Sequence, residues 1–516
     1  MTTSGVPLWR RSAPLSGVLL AAALYTAACP PYERWVAAWA VPGLLFLAAA
    51  GLGPRKAFGA GVLFAFVIGY GITYWAPDAT LKYFDAGPWA AWAFALAVWF
   101  AYGGLTYGPL LFAYAVLHDR VSSGLRPLVG ACLWAGAELL RSRLFTGMPW
   151  ELLGHTQYSN LVLIQIADLG GVYAVSFVVA FTSLSLVEVF TGSNRGRWRS
   201  RALRHVAPAV GLLVFTVAYG RHCARFRMAE TAALPSGRTV AVVGADVPNA
   251  WRWDPARLRR VVDRYGNLTT IALARSPDLV VWPENAVSFY LDREPALREE
   301  LGGLVAPVSG ALLTGAPRSD GGNRAYNSAY LLGPGGTILD TYDKRRLVPF
   351  AEYNPFWRRR SRDGQPAEFA PGGSARPLRW NGVLLGVSIC YEILFPHLVR
   401  DSVRQGAELL VNISNDSWMD SGDGGASRQH FSMAVFRAVE TRRYLVRASS
   451  GGISGFVTPY GEIRSLLRPD GPGVAVGKVE PRRDLTVYVR WGDAWLLLAL
   501  AGLLPGASWP GLRGTA

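Results

Sequence analysis

Long apolar stretches, separated by short breaks, dominate the first 222 residues. Most approach the roughly 20 apolar residues that a helix needs to cross a bilayer, and Trp and Tyr cluster at their ends, as in ITYWAP. The pattern predicts seven spans, near residues 13–29, 35–52, 57–76, 88–117, 126–141, 163–191 and 206–221. The shorter run AWLLLALAGLL at 494–504 predicts one more, so we expect a multi-pass α-helical membrane domain of about eight spans.

The region between these helices has a different pattern. Short β-rich apolar runs predict strands at 239–247, 277–284, 310–317, 383–390 and 407–414. Residues 254–276 and 426–444 show helical spacing, and SAYLLGPGGTILDTYDK reads as two strands around a Pro-Gly-Gly turn. We therefore predict an α/β domain in this region. The predicted organisation is a transmembrane domain of about seven helices at 1–222, this α/β domain at 223–492, and a C-terminal transmembrane helix and tail at 493–516.

Composition agrees with a membrane protein that carries a polar domain. The 516-residue chain is 51% hydrophobic and 17% charged, whereas soluble domains carry about a quarter charged residues. The net charge of +16 could suggest a nucleic-acid partner. Much of the Lys and Arg excess lies in short loops between apolar runs, where positive charge orients a membrane protein, so we expect no nucleic acid.

The basic loops also predict the orientation. Arg10 and Arg11 precede the first span, Arg55 and Lys56 follow the second, and five Arg residues at 195–204 follow the sixth. The alternate loops carry fewer, so the positive-inside rule places the N-terminus in the cytoplasm and the polar domain on the opposite side. The opening stretch could pass for a cleaved signal, but further spans follow it at once, which favours an uncleaved first helix.

Functional groups stand at the ends of three predicted strands. Glu284 follows the run PDLVVW, Lys344 and then Glu352 lie in TYDKRRLVPFAEY, and Cys390 ends VLLGVSIC. Singly, each has a structural explanation: a helix cap, a surface cation, a small buried thiol. Together they supply a base, a cation and a nucleophile, which is what covalent catalysis by a thiol requires.

The order Glu in WPEN, Lys in YDKRRLVPFAEY and Cys in SICYE resembles the nitrilase, or carbon–nitrogen hydrolase, superfamily. Placed after seven apolar spans and before a terminal one, it resembles the apolipoprotein N-acyltransferase family in particular. LLRSRLFTGMPW, VPNAWRWDP, ISNDSWMD and RQHFSMAVFRAVETRR extend that resemblance over nearly the whole chain. It implies a nitrilase-like αββα sandwich facing the periplasm from the bacterial inner membrane, in agreement with the orientation derived from loop charges.

The resemblance also implies the reaction. Cys390 would take an acyl chain from a membrane phospholipid as a thioester and pass it to the α-amino group of the diacylglyceryl-cysteine of an apolipoprotein. Glu284 would be the general base, and Lys344 would stabilise the thiolate and the oxyanion. The resemblance further assigns supporting roles to Glu352, Tyr391, Glu392 and Asn327, and substrate-binding roles to Trp253, Trp418, Arg141 and Gly147.

Some features depart from the family pattern. Gly244, Ala245 and Asp246 stand where a Gln-Gly-Asn-like stretch is common, and Ser449 and Ser450 stand where Thr-Asn or Thr-Gly is common. Either change could alter the acceptor side of the site. A membrane-tethered amidase acting on a periplasmic amide is the alternative function, and a transporter with a degenerate domain is a non-enzymatic one. The six scattered His residues suggest no metal site, no cofactor is implied, and we expect a monomer.

Overall fold

The structure, a computed structural model, describes residues 8–84, 87–191, 198–232, 237–248, 251, 254–322, 324–356, 368–419, 423–468 and 471–508. The described residues form two compact units. The first takes in those of Met1–Leu81, Ala86–His222 and Trp491–Ala516, and the second takes in those of Lys82–Asp85 and Cys223–Arg490.

Helices make up the described chain up to residue 232, with short 3₁₀ turns between some of them. They are α1 (Leu8–Ala28), α2 (Val41–Ala50), α3 (Pro54–Ile72), α4 (Ala76–Phe84), α5 (Pro88–Val98), α6 (Leu105–Leu117), α7 (Arg126–Arg141), α8 (Ala167–Thr191) and α9 (Trp198–Ala232). A π-helical turn, Trp99–Gly104, joins α5 to α6. Gly171 has a φ of +70°, which only glycine adopts readily, and it kinks α8 near its start.

Several of these helices are long and apolar enough to span a membrane. In the described part of the chain they are Pro54–Ile72, Pro88–Leu117, Leu163–Phe190 and Leu203–Arg225. The spans expected near 13–29, 35–52 and 494–504 correspond to the shorter apolar helices Pro14–Ala28, Trp35–Ala50 and Ala494–Leu503, and the span expected at 126–141 corresponds to the 16-residue α7. The multi-pass helical region is confirmed, whereas a count of about eight spans stays a prediction.

The second unit contains two six-stranded sheets. Their strands are β1 (Arg238–Gly244), β2 (Leu279–Val281), β3 (Ala311–Ser319), β4 (Ala325–Leu332), β5 (Ile338–Asp343), β6 (Leu378–Trp380), β7 (Val383–Ile389), β8 (Leu409–Asn415), β9 (Leu445–Ser450), β10 (Ser454–Val457), β11 (Ile463–Leu467) and β12 (Gly473–Val479). The first sheet has the order β12-β1-β2-β3-β4-β5, and the second has the order β11-β10-β9-β8-β7-β6. The strands β1 to β3 run parallel, as do β7 to β9.

Helices cover the outer face of each sheet. The first sheet packs against α10 (Leu258–Leu273) and α11 (Pro295–Val305), and the second packs against α12 (Pro396–Arg404) and α13 (Gly425–Thr441). The inner faces meet where β1 contacts β9 and where β5 contacts β6. The predicted αββα sandwich is therefore confirmed. Two further helices, α14 (Val487–Trp491) and α15 (Ala494–Ser508), follow the sandwich in the chain.

Apolar strands explain why the sheets are buried on both faces. Val240, Val242 and Val281 are fully buried, and Val242 lies opposite Val281 in the parallel pair β1–β2. Continuous β-branched runs of this kind are typical of parallel strands covered on both sides. In such sheets the carboxyl ends of the parallel strands lie at one edge, which is where functional side chains gather.

Candidate active site

Cys390 lies directly after β7, at the start of the short 3₁₀ turn Cys390–Leu394. Its φ is +50°, a left-handed conformation that is uncommon and strained for a residue with a side chain. The side chain is buried, with 3% of its surface exposed. Burial and the nearby Glu284 raise the pKa of the thiol to about 12, and Lys344 opposes that rise. At neutral pH the resting group is therefore a thiol, and it needs a base to become a nucleophile.

Lys344 lies between two carboxyl groups. Its Nζ donates to Oε1 of Glu284 at 3.1 Å and to Oε1 of Glu352 at 3.0 Å. Nδ2 of Asn327 donates to the same two oxygens, at 2.7 and 2.6 Å. Burial alone would lower the pKa of Lys344, but Glu284 and Glu352 raise it well above its usual value. The side chain is therefore a buried ammonium ion.

The strands hold these groups in place. Glu284 follows β2, Asn327 lies on β4 and Lys344 follows β5, so all three come from the first sheet. The Lys344 N–H donates to the Asn327 carbonyl at 2.8 Å, which fixes the end of β5. Gly315 on β3 permits the close approach of the Glu284 loop, because a Cβ there would lie 2.6 Å from the Glu284 Cα.

Glu352 and Glu284 are each held a second time through their other oxygen. The Val348 N–H donates to Glu352 Oε2 at 2.7 Å, and the Asn415 N–H, at the end of β8, donates to Glu284 Oε2 at 3.0 Å. Both carboxyl groups are thus oriented by backbone donors as well as by Lys344. The geometry places two buried carboxyl groups and a buried ammonium ion beside a buried thiol, and acyl transfer through a thioester can use groups of these kinds.

Matches to known families cover both halves of the chain. Residues 21–185 match the model of the apolipoprotein N-acyltransferase N-terminal domain, and residues 239–483 match that of carbon-nitrogen hydrolase. An apolipoprotein N-acyltransferase of Geobacter metallireducens is 34% identical over 497 residues, covering 95% of this chain and 92% of that protein. The chain belongs to the apolipoprotein N-acyltransferase family.

A second relative and a solved structure extend the comparison. The apolipoprotein N-acyltransferase of Pseudomonas aeruginosa is 30% identical over 517 residues, covering 94% of this chain and 93% of that protein. An amidase of the nitrilase superfamily from Nesterenkonia sp. AN1 aligns with 51% of this chain and 97% of its own, at 23% identity and a TM-score of 0.39.

Glu392, two residues after the thiol, is a fully buried hydrogen-bond acceptor in this family member. Its Oε1 accepts the N–H groups of Arg345 and Arg346 at 2.7 and 3.0 Å, and its Oε2 accepts the N–H of Ile389 at 2.8 Å. The Tyr342 hydroxyl lies 3.0 Å from both oxygens. Burial raises the pKa of Glu392, while these backbone donors oppose the rise. Glu392 therefore ties the chain after Lys344 to the turn after β7.

The remaining residues expected in the site have varied surroundings. Tyr391 is buried and its ring packs edge-on against Phe395, with centroids 4.9 Å apart. Trp418 is half-buried in the 3₁₀ turn Ser417–Met419 after β8. Trp253 lies outside the described residues. Of the departures from the family pattern, Asp246 has a φ of +47° just after β1.

Arg141 and Gly147 belong to the helical unit. The Arg141 side chain is buried at the end of α7, and its Nη2 donates to the carbonyls of Trp150 and Glu151 at 3.0 and 3.4 Å. Gly147 has a φ of +75°, which favours glycine. The guanidinium group thus fastens residues 150–151 to the helix end, and a contact with lipid phosphate stays a prediction.

A second polar cluster lies beside Cys390, and sequence reasoning found only part of it. Its members are Ser414, Asp416, His430 and Arg447, each with at most 1% of its surface exposed. Ser414 and Asp416 lie in the family-like stretch ISNDSWMD, and His430 lies in the family-like stretch RQHFSMAVFRAVETRR. Arg447 stands in the strand LVRASS, where a charged residue in an apolar run is the signal that could have revealed it. In the described ranges, no group of three or more His, Cys, Asp or Glu side chains is arranged to hold a metal ion.

Proposed function

We propose that this chain is a phospholipid-dependent N-acyltransferase that completes lipoprotein maturation. It would move a fatty acyl chain, through a thioester on Cys390, onto the α-amino group of the N-terminal diacylglyceryl-cysteine of apolipoproteins. The observation that carries the proposal is the buried Lys344 ammonium, held between Glu284 and Glu352 beside the thiol. Membership of the family supports the choice of donor and acceptor.

In the first half-reaction Glu284 takes the thiol proton, and Sγ of Cys390 attacks the ester carbonyl carbon of the phospholipid. The negative charge that develops on the carbonyl oxygen is stabilised by Lys344 and by the Tyr391 N–H. The C–O ester bond then breaks, and the leaving oxygen takes the proton from Glu284. The products are a lysophospholipid and a thioester on Cys390.

In the second half-reaction the neutral α-amino group of the apolipoprotein attacks the thioester carbonyl carbon. Glu284 accepts a proton from the attacking nitrogen, and Lys344 again faces the oxyanion. The C–S bond breaks, Sγ recovers the proton from Glu284, and the acyl chain is left in an amide. Glu352 accepts a hydrogen bond from Lys344, and Asn327 donates to both carboxyl groups, so these two residues hold Lys344 and Glu284 in place throughout.

We further propose where this reaction takes place. Residues 1–222 and 493–516 would form the membrane domain in the bacterial inner membrane, and residues 223–492 would face the periplasm, as the distribution of basic loops indicates. The proposed catalytic residues all come from one unit of one chain, which is consistent with a monomer. Trp253, Trp418, Arg141 and Gly147 remain the residues that we propose for substrate binding.

The amidase alternative would use the same three groups with water as the acceptor. The match of residues 21–185 to the N-terminal domain of the N-acyltransferases favours the transferase, because hydrolysis of a small amide does not require a membrane domain.

The proposal is tested by intact mass spectrometry of the protein purified from its native membrane, beside a Cys390→Ser variant. We expect a hydroxylamine-labile adduct of fatty-acyl mass on the wild type and none on the variant. Addition of a diacylglyceryl-cysteinyl peptide should remove the adduct and give the N-acyl peptide. A wild-type protein that stays unmodified after incubation with phospholipid would contradict the proposal.

A further inference from the structure

The end of β8 contacts both the proposed nucleophile and the proposed base. Ser414 on β8 lies beside Cys390, because the preceding residues Ile389 and Ile413 are opposite each other in the parallel pair β7–β8, and Ser414 lowers the pKa of the thiol. The N–H of the next residue, Asn415, donates to Glu284 Oε2 at 3.0 Å. Two consecutive residues of one strand therefore adjoin the proposed nucleophile and the proposed base, between which a proton would move. Their position sets how far apart those groups lie.

Asp416 anchors this strand end. Its Oδ1 accepts the Ser414 hydroxyl at 2.6 Å and lies 3.0 Å from Nδ1 of His430, and its Oδ2 accepts Nη2 of Arg447 at 2.7 Å. Its own N–H donates to the Ser450 carbonyl at 2.8 Å, at the end of the neighbouring β9. A carboxylate with 1% of its surface exposed is retained only when such partners offset its desolvation.

The charges in the cluster have definite states. Burial alone would raise the pKa of Asp416, but Arg447 and His430 lower it below its usual range, so the group is a carboxylate at neutral pH. Burial lowers the pKa of His430, against the pull of Asp416, so the imidazole is neutral. Nδ1 of His430 lies 3.0 Å from Asp416 Oδ1 and 3.2 Å from Nη2 of Arg447, so the imidazole contacts both partners of this ion pair.

Ser414 has a single proton and two neighbours that could accept it. While Cys390 is a thiol, its S–H can donate to the Ser414 oxygen, and the Ser414 hydroxyl donates to Asp416. When the thiolate forms, the hydroxyl can rotate and donate to Sγ instead, while Arg447 and His430 keep Asp416 satisfied. A hydrogen bond to an ionised group is stronger than one between neutral groups, which favours this rotation when the negative charge appears.

We propose that Ser414 is a further catalytic residue, which donates a hydrogen bond to the Cys390 thiolate, and that Asp416 is a positioning residue, which holds Ser414 and the Asn415 N–H in place. This role rests on the proposed function of Cys390 as the nucleophile. It would be used twice: when the thiolate attacks the phospholipid ester, and when the amine expels the thiolate from the thioester.

The charged groups that surround the thiol predict opposite effects for two substitutions. Glu284, Lys344 and Asp416 each influence the Cys390 charge, and Arg447 and His430 face it from β9 and α13 through Asp416. Ser414→Ala removes a donor to the thiolate and disfavours it. Asp416→Asn removes a negative charge near the thiolate and leaves Arg447 without its counter-ion, so it favours the thiolate.

The experiment measures the rate at which iodoacetamide alkylates Cys390 in the full-length protein in detergent, without phospholipid, between pH 8 and 10. Mass spectrometry of the Cys390 peptide separates this thiol from Cys29, Cys132 and Cys223. We expect about tenfold slower alkylation for Ser414→Ala and about tenfold faster alkylation for Asp416→Asn, which corresponds to about one unit in the pKa of the thiol. Ser432→Ala is the matched control, because this buried serine of α13 donates to the Gln429 carbonyl at 2.7 Å, and its rate should not change.

Opposite changes in the two variants, with the control unchanged, support the proposal. Rates within twofold of the wild type, or changes in the same direction, overturn it, because a purely structural cluster would not move thiolate reactivity in two directions. If Asp416→Asn does not fold, Ser414→Ala decides alone, and a rate within twofold of the wild type overturns the proposal. A wild-type protein that phospholipid fails to acylate would contradict the proposed function and leave this comparison of rates intact.

Discussion

Replacing Lys344 with Met is expected to destabilise the second unit, because it removes the cation between two buried carboxyl groups. Nζ lies 3.1 Å from Glu284 Oε1 and 3.0 Å from Glu352 Oε1, and only 1% of the Lys344 side chain is exposed. Met is similar to Lys in length, so the cost comes from the lost charge and hydrogen bonds rather than from a cavity. Nζ of Lys344 and Nδ2 of Asn327 both donate to these two oxygens in the wild type, and the variant keeps the Asn327 donor.

The magnitude follows from the pairing. Removing one partner of a buried ion pair costs about 3–5 kcal/mol, because the other charge is left uncompensated. In the variant, repulsion between Glu284 and Glu352 should raise the pKa of one carboxyl group above its unfolded value of about 4.3. A raised carboxyl pKa makes the folded variant relatively more stable at low pH and less stable as pH rises. In the wild type, the raised pKa of Lys344 gives a contribution that is complete below the unfolded pKa of about 10.4, so it is constant from pH 5 to 8.

The assay is urea unfolding of the purified full-length protein in detergent, followed by tryptophan fluorescence at pH 5 and pH 8. We expect the deficit of Lys344→Met to be larger at pH 8. The double variant Lys344→Met/Glu352→Gln is the control, since it removes one of the two like charges, and it should recover about 1–3 kcal/mol at pH 8. A deficit below about 1 kcal/mol at pH 8, or a double variant no more stable than the single one, would refute the reasoning.

Three further outcomes are expected. Gly315→Ala should slow formation of the acyl-enzyme by about tenfold or more, because the new Cβ would lie 2.6 Å from Glu284 Cα and Asn285 N and would displace the Glu284 loop. Lysophospholipid release measures this rate, and an unchanged rate would contradict the prediction. Cys390→Gly should be about 1 kcal/mol more stable to urea than Cys390→Ala, because a φ of +50° strains alanine and not glycine. Alkylation of wild-type Cys390 should rise about tenfold per pH unit from pH 7 to 10, since the pKa of the thiol is about 12, and a plateau below pH 9 would contradict this value.

The sandwich could be predicted from sequence because its central strands are continuous apolar runs that end in polar residues. Glu284 and Cys390 each follow such a run in a parallel pair of strands, where the carboxyl ends lie at one edge. Lys344 instead follows the mixed edge strand ILDTYD, which pairs antiparallel with β4. In the structure, Lys344 Nζ lies 3.1 Å from Glu284 Oε1. The order of the motifs indicated that these residues would be close, but it did not specify the distance. The bridge that Asn327 makes between two carboxyl groups depends on the pairing of β4 with β5, which local patterns do not specify.

The sequence patterns could not predict the second polar cluster or determine the number of spans, and the reasons are physical. Asp416 and Arg447 are 31 positions apart, and they meet because β8 and β9 pair in parallel with Asn415 opposite Ser450. The strand register buries the Arg447 side chain, and no local periodicity in the sequence shows that a charged residue will be buried in this way. In α7, Glu138 and Arg141 interrupt the apolar run yet are buried, since both bond to backbone groups of the following loop, and hydropathy alone leaves such a helix ambiguous.

The proposed base and nucleophile come from different sheets, which gives the face-to-face packing a role in the chemistry. Glu284 follows β2 of the first sheet and Cys390 follows β7 of the second. Beside the thiol, backbone donors cross between the sheets: the Asn415 N–H donates to Glu284 Oε2 at 3.0 Å, and the Arg345 N–H donates to Glu392 Oε1 at 2.7 Å. Because these bonds position the proposed base relative to the proposed nucleophile, we expect a small shift of one sheet against the other to slow acyl transfer before it unfolds the domain. Glu392, fully buried two residues from the thiol, thus fastens the two sheets together beside the proposed catalytic residues.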